Sequence, residues 1–186
     1  NCNLMKKLLN YTIKSSIIAL SIFIFLIFSA LWYFSSGLPD YKKLANYEPP
    51  VSSRVYSENG KLIAEYAIEK RLFIPYEAIP KKIINSFLSA EDKNFFKHPG
   101  IDAKGIVRAT LTNIKNIVND KRLEGASTIT QQVAKNFLLT NEISFRRKIK
   151  EAILAFRIEK AYSKERIMEL YLNQIYLGVG TYGVAA

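Results

Sequence analysis

From Ser15 to Pro39 the chain carries no charged residue, and the 18 residues from Ile17 to Phe34 are apolar apart from Ser21 and Ser29. A helix of that length rises about 27 Å, close to the ~30 Å hydrocarbon thickness of a bilayer. In a bilayer a single segment can satisfy its own backbone only as a helix, so the run predicts one membrane-spanning helix. Lys6, Lys7 and Lys14 precede it and Asp40 follows. Cationic flanks stay inside, which puts the amino terminus in the cytoplasm and the remaining chain on the other side. Trp32 and Tyr33 stand at the outer end, where aromatic rings favour the interface. The rival reading is a cleaved signal peptide, whose apolar core runs ~7–15 residues and ends at small side chains. This run is longer and ends in bulky ones, so an uncleaved signal-anchor is expected. The partition that follows is a cytoplasmic tail over 1–14, the anchor over 15–36, a linker with a β-hairpin over 37–78, and the main domain over 79–186.

The net charge is +11, and beyond Tyr41 there are 24 Lys and Arg against 15 Asp and Glu. A basic domain tethered outside a membrane suits an anionic partner such as lipid head groups or a lipid-linked phosphate. Nucleic acid fits the charge but not the compartment. Cys2 and His98 are the only cysteine and histidine, which excludes an intrachain disulfide and a Cys- or His-rich metal cluster. Mg²⁺ or another divalent cation held by carboxylates and phosphate stays open. No organic cofactor is expected.

Leu38-Pro39-Asp40 ends the first helix and Glu48-Pro49-Pro50 marks an extended joint. Asn59-Gly60 between Arg54–Ser57 and Leu62–Tyr66 is a strong hairpin signal. From Ile79-Pro80 onward the periodicity is helical. Ile83, Ile84, Phe87 and Leu88 mark one helix; Val107, Leu111, Ile114 and Val118 mark the next. A third covers Ser127 to Leu138. Ser144 caps a fourth over 145–161, with Ile149, Ala152, Ile153 and Phe156 inward, and Ser163 caps a fifth over 164–173, with Ile167, Leu170 and Tyr171 inward. The main domain is expected to be mainly α.

Glu91 closes the first of these helices, before Phe95-Phe96. A carboxylate partly shielded from water is a better proton acceptor near neutral pH; the plainer reading is an ordinary helix-end acid beside Asp92 and Lys93. His98, before Pro99-Gly100, is either a proton shuttle or, preferred here, a turn histidine that bonds backbone and holds the loop beside Glu91. Ser127, Gln131 and Lys135 are four apart and stack on one helix face, with Thr128, Gln132 and Asn136 alongside and Ile129, Val133 and Phe137 opposite. Ser, Thr and Asn are mediocre helix formers. Their donors suit sugar hydroxyls and phosphate oxygens, and Lys135 suits a diphosphate. A hydrated surface face is the alternative. Arg147 and Glu151 form either a plain i,i+4 pair in its weaker order or, with Arg146, Lys148 and Lys150, an anion site built around one acid. Lys164 to Asn173 reads as core at helical spacing.

Taken in order, these blocks resemble the motifs of the peptidoglycan glycosyltransferase domain, glycosyltransferase family 51. The carriers are Glu91-Asp92 with Phe95, His98 and Gly100; Gly125-x-Ser127-Thr128-Ile129-Thr130-Gln131-Gln132 with Lys135-Asn136; and Arg147-Lys148-x-x-Glu151. The stretch Ser53–Tyr66 is similar to the hairpin of class A penicillin-binding proteins, the 1A type in particular. The resemblance implies a lysozyme-like, mainly helical domain with a membrane-embedded jaw, following one transmembrane helix and a small β-hairpin segment. It implies that the domain polymerises lipid II into β-1,4 glycan with release of undecaprenyl diphosphate. Glu91 would be the general base. Glu151 would be the second acid, holding a cationic group or Mg²⁺ against phosphate. Lys135, Arg147 and Lys148 would neutralise the diphosphate. Ser127, Thr128, Gln131, Gln132 and Asn136 would position sugars and phosphates, and Asp92, Phe95, His98 and Gly100 would support the loop.

The partners implied are lipid II, the growing lipid-linked strand, the membrane and other wall-synthesis proteins, with no nucleic acid. The location implied is the bacterial cytoplasmic (inner) membrane, single-pass, with the catalytic domain on the periplasmic or extracellular side. Class A penicillin-binding proteins carry a transpeptidase with Ser-x-x-Lys and Lys-Thr-Gly signatures, and this sequence has neither. With Gly178–Ala186 ending on no stop signal, an amino-terminal fragment of a bifunctional protein is the expectation. Two other functions remain open: a lysozyme-like lytic enzyme, in which the same glutamate would act as an acid, and an inactive, lipid II-binding membrane protein.

Overall fold

The computed structural model describes residues 2–45, 47, 53–66, 70–140 and 142–186. They form two compact units, Asn1–Leu38 and Pro39–Ala186. The first unit is helix α1, Cys2–Ser35. Its stretch Asn10–Ser35, 26 residues, is long and apolar enough to cross a membrane, and none of it is buried within the protein. Ser15 and Ser21 turn their hydroxyls back onto the Thr12 and Ile17 carbonyls, which satisfies these two donors within the helix. The helix thus continues through the residues expected to be a tail.

The second unit starts at Pro39, so part of the expected linker belongs to it. A 3₁₀ turn, Tyr41–Leu44, is capped by Asp40. It buries Leu44 and is held by Tyr162 Oη on the Tyr41 carbonyl at 3.1 Å and Arg166 Nη2 on the Leu44 carbonyl at 3.3 Å. The Glu48-Pro49-Pro50 joint lies outside the described residues. Strands β1 (Ser53–Tyr56) and β2 (Leu62–Tyr66) pair antiparallel. Gly60 at φ +75° closes the turn with its N–H on the Ser57 carbonyl, as Asn-Gly signals.

Five helices follow: α2 (Lys81–Glu91), α3 (Ala103–Val118), α4 (Ile129–Leu138), α5 (Phe145–Ala161) and α6 (Lys164–Gln174). Helix α6 is the centre of the core. Ile167, Met168, Leu170, Tyr171 and Leu172 are all at most 1% exposed, and full burial of each such side chain contributes about 1.5–3 kcal/mol. Ala134 on α4 and Ala155 on α5 are both fully buried; their small side chains let neighbouring backbones approach. Buried Asn173 clasps the Ile74 backbone in both directions, at 2.9 and 2.8 Å, and Glu169 accepts the Tyr76 N–H at 2.8 Å. These three bonds fix the chain entering α2. Beyond α6, strands β4 (Tyr176–Gly178) and β5 (Thr181–Tyr182) form a hairpin, and the short β3 (Lys70–Arg71) adds to β5 in parallel. The result is a mainly helical domain with small sheets.

Two expectations are corrected. Helix α4 begins at Ile129, not Ser127, because Thr128 and Gln131 form a capping box: Gln131 N–H bonds Thr128 Oγ1 at 3.2 Å and Thr128 N–H bonds Gln131 Oε1 at 3.0 Å. Helix α5 buries Glu151, Leu154, Ala155 and Ile158, whereas Phe156 is 43% exposed. The inward face is set by an acid that brings its own cations. On α3 the apolar stripe points outward: Val107, Leu111, Ile114 and Val118 are 57–81% exposed, and Gly105 and Ala109 face the core.

Candidate functional site

Glu91 is the last residue of α2, and the chain turns at Asp92. The turn is locked by buried polar contacts. Asp92, 6% exposed, places its carboxylate 2.9 and 3.0 Å from His98 Nε2. His98 Nδ1 accepts the Gly100 N–H at 3.2 Å, so the ring proton sits on Nε2 and is donated to Asp92. Asp92 Oδ2 also accepts the Ile129 N–H at 3.2 Å, which ties this turn to the first residue of α4. Thr128 Oγ1 donates to the Gly100 carbonyl at 2.6 Å. Gly100 has φ +99°, and a Cβ there would lie 3.0 Å from the Ala155 carbonyl carbon and oxygen. Only glycine combines that backbone with that approach. His98 is therefore bonded on both ring nitrogens within the protein.

Sequence reasoning gave Lys164, Glu159 and Thr130 no part in the site. Lys164 Nζ donates to the His98 carbonyl and to Glu159 Oε1, each at 2.7 Å, and stands 4.3 Å over the buried Phe95 ring. Thr130 Oγ1 donates to the same Glu159 oxygen. One ammonium thus joins the Glu91 loop, α4 and α5. The Lys164–His98 link spans 66 residues, beyond any local pattern. Asn94 and Asp102 were also missed. Asn94 Nδ2 bonds Asp102 Oδ2 at 3.0 Å, and Asp102 Oδ1 caps α3 by accepting the Gly105 N–H at 2.9 Å. The Asn94 hydrogen bond, then the Gly105 amide, hold the Asp102 carboxyl below its ordinary value of 3.8.

The cleft lies on the other side of this scaffold. A cavity of about 430 Å³ is lined by Glu91, Ser127, Gln131, Gln132, Lys135 and the Arg147–Lys148–Glu151 group. Glu151 is 2% exposed, with Lys148 Nζ at 2.8 Å and Arg147 Nη1 at 3.2 Å. The Lys148 contact is a hydrogen bond. The Arg147 contact is an ion pair without hydrogen-bond alignment, because Glu151 Oε1 and Arg147 Nε are both buried with no hydrogen-bond partner among the described residues. Lys148 also donates to Ser127 Oγ at 2.8 Å, so one cation bridges the α5 acid and the loop before α4. Glu91 accepts from Gln132 Nε2 at 2.9 Å and is exposed rather than shielded. The expected screening is thus not built into the protein, since α2 ends at the rim.

One expected binder is placed elsewhere: Asn136 is exposed and lines neither cavity at Glu91. Thr128 lines a second cavity beside Glu91, but it is buried and its hydroxyl is already bonded to the Gly100 carbonyl. That second cavity, of about 540 Å³, shares Glu91, Gly125 and Ser127 with the first and adds Lys93, Asp102, Arg108 and Thr112. Glu91 therefore stands where two cavities meet. The loop roofing both is pinned by Asn113, which accepts the Glu124 N–H at 2.7 Å and donates to the Glu124 carbonyl at 3.0 Å. As a metal site the cleft is poorly suited. Glu151 is already flanked by two cations, and the described residues hold no group of three His, Cys, Asp or Glu able to bind an ion.

Comparison with known proteins bears on this arrangement. A family model described as Transglycosylase matches residues 59–186. The chain is 54% identical over 179 residues to Penicillin-binding protein 1A of Rickettsia conorii, covering 92% of this chain and 23% of that protein. It is 49% identical over 150 residues to Penicillin-binding protein 1A of Aquifex aeolicus, covering 81% and 20%. For the protein of that name from Pseudomonas aeruginosa the identity is 46% over 157 residues, covering 84% and 19%. The chain spans about a fifth of the length of the curated relatives it matches.

Proposed function

The chain belongs to the transglycosylase family, and from that premise we propose that it is the peptidoglycan glycosyltransferase part of a bifunctional penicillin-binding protein, acting on lipid II in cell-wall synthesis. The observation that carries the proposal is Glu91 at the junction of two cavities, one of them lined by Lys135, Arg147 and Lys148. The donor, a glycan strand on undecaprenyl diphosphate, occupies the cation-lined cavity. The acceptor lipid II occupies the second, near Lys93 and Arg108. Glu91 takes the proton from the acceptor 4-hydroxyl. That oxygen attacks the anomeric carbon of the donor, the bond to the diphosphate breaks, and the α linkage becomes β-1,4. The three cations stabilise the negative charge that develops on the leaving diphosphate. Glu151 holds Arg147 and Lys148 in place for that task. Ser127, Gln131 and Gln132 position sugar and phosphate. A divalent ion enters only as a companion of the substrate diphosphate, since Glu151 has its own cations.

The reading extends to the membrane. Helix α1 is the anchor, with the catalytic unit outside the cytoplasmic membrane. The outward stripe of α3, flanked by Lys104, Arg108 and Lys115, is the composition of a helix face that lies in an anionic lipid interface. Both substrates are lipid-linked, so a site held near the bilayer meets them at high effective concentration. Other wall-synthesis proteins are partners by the same reading. A lytic enzyme has no use for three cations around a diphosphate.

The test is labelled lipid II with the full natural protein in detergent and Mg²⁺, with products separated by size. A ladder of glycan strands that is lost in Glu91→Gln, with the fold retained, is the expected result. Absence of polymer from the folded wild type, or an undiminished ladder in the variant, would overturn the proposal.

A further inference from the structure

Tyr171 lies in the middle of α6 and is 1% exposed, yet its hydroxyl is buried with no hydrogen-bond partner among the described residues. A desolvated hydroxyl without a partner is unfavourable. Phenylalanine would fill the same space without that penalty, so the oxygen needs a reason. Phe87 packs edge-on against the Tyr171 ring, with centroids 5.9 Å apart and planes at 80°. Phe87 is four residues before Glu91 on α2, and side chains four apart share one helix face. The ring of Tyr171 therefore lies beneath the turn that carries Glu91. The Glu91 carboxylate acts on the phenol: burial first, and that negative charge second, push the Tyr171 hydroxyl well above its ordinary range. Tyr171 accordingly keeps its proton at neutral pH and has it to donate. Glu91 meanwhile is bonded to Gln132 at the rim.

We propose that Tyr171 is the positioning residue of the base: its hydroxyl bonds the inner oxygen of Glu91 once substrate displaces the Gln132 amide and the carboxylate turns inward. The inference rests on Glu91 being the base. A carboxylate that takes a proton through one oxygen needs a fixed donor on the other to hold its plane. The Tyr171 proton is not transferred. It stabilises the ionised form of Glu91, so the base remains available to lower pH.

The test compares wild type, Tyr171→Phe and Glu91→Gln in the full natural protein with labelled lipid II. Tyr171→Phe should melt at the wild-type temperature or above, because an unpartnered oxygen has been removed. Its kcat should fall about tenfold to a hundredfold, the worth of a hydrogen bond to a charged group, with KM within about twofold. The acidic limb of its kcat–pH profile should move to higher pH, since Glu91 without the donor protonates more easily. A purely structural tyrosine would move neither kcat nor the limb, and that result, with Glu91→Gln inactive, overturns the inference alone. An active Glu91→Gln overturns the base itself. If Tyr171→Phe does not fold, 3-fluorotyrosine placed at position 171 supplies a stronger donor of nearly the same size. The acidic limb should then move to lower pH, and an unmoved limb refutes the proposal.

Discussion

The Asp92–His98 pair is the joint on which the placement of Glu91 depends, and its strength can be measured. The perturbation is a double-mutant cycle of Asp92→Asn, His98→Ala and the two together. Both residues are under 9% exposed, the carboxylate oxygens lie 2.9 and 3.0 Å from Nε2, and the Gly100 amide fixes the ring proton on that nitrogen. Asp92 also accepts the Ile129 N–H at 3.2 Å. Asparagine at 92 can offer one carbonyl oxygen to these two donors, and its amide group must then face an N–H. A lost charge-assisted bond contributes about 1.5–3 kcal/mol, and the donor–donor contact adds to it, so Asp92→Asn should destabilise by about 2–4 kcal/mol. His98→Ala should lose a similar amount, about 2–4 kcal/mol, through the vacated volume and the unpaired Gly100 amide. Because the variants remove the same bond, the double variant should be more stable than their sum by about 1.5–3 kcal/mol. Urea unfolding read by pulse proteolysis in detergent gives the four values. A coupling below about 0.5 kcal/mol would refute the view that this pair holds the turn.

Two further outcomes follow from the same scaffold. Gly100→Ala should destabilise by about 2–4 kcal/mol, from its positive φ together with the 3.0 Å approach to the Ala155 backbone, and its urea midpoint checks this. Asp102 has a depressed carboxyl in the folded state, so its ionised form favours folding. That contribution is fully present above the unfolded value and fades as pH falls through the lower folded value; the stability gap between wild type and Asp102→Asn should therefore shrink on acidification, and a gap constant from about pH 6 to pH 2 would contradict the assignment.

What could be read from the sequence was local. Ser144 and Ser163 cap their helices by bonding the Arg147 and Arg166 amides, and Asn59-Gly60 makes its turn, because each signal needs only a few adjacent residues. The start of α4 was misjudged by the same kind of rule: two hydroxyl residues stood side by side, and Thr128 wins because Gln131 sits three places on and can reciprocate. The strands at 70–71, 176–178 and 181–182 are too short to leave a period. Most site residues in the cleft were legible, since their blocks are contiguous. The Lys164–Glu159–Thr130 node was not, because its parts come from three elements.

Burial was the least legible quantity, for one physical reason. Apolar periodicity finds a helix and names its greasier side, but it assumes that this side faces the core. On α3 that assumption fails, because the stripe from Val107 to Val118 is turned outward. On α5 it fails in the opposite sense, because Glu151 can be buried once Arg147 and Lys148 accompany it. Tyr171 is the subtlest case. Its ring sits where the period puts it, and in sequence it is indistinguishable from any other core aromatic. What separates it is a single oxygen with no partner among the described residues, on a ring packed against Phe87, one helical turn before the glutamate that the chemistry needs. A hydrophobic pattern has no way to register whether a hydroxyl is satisfied, since satisfaction is a property of the neighbours that folding supplies.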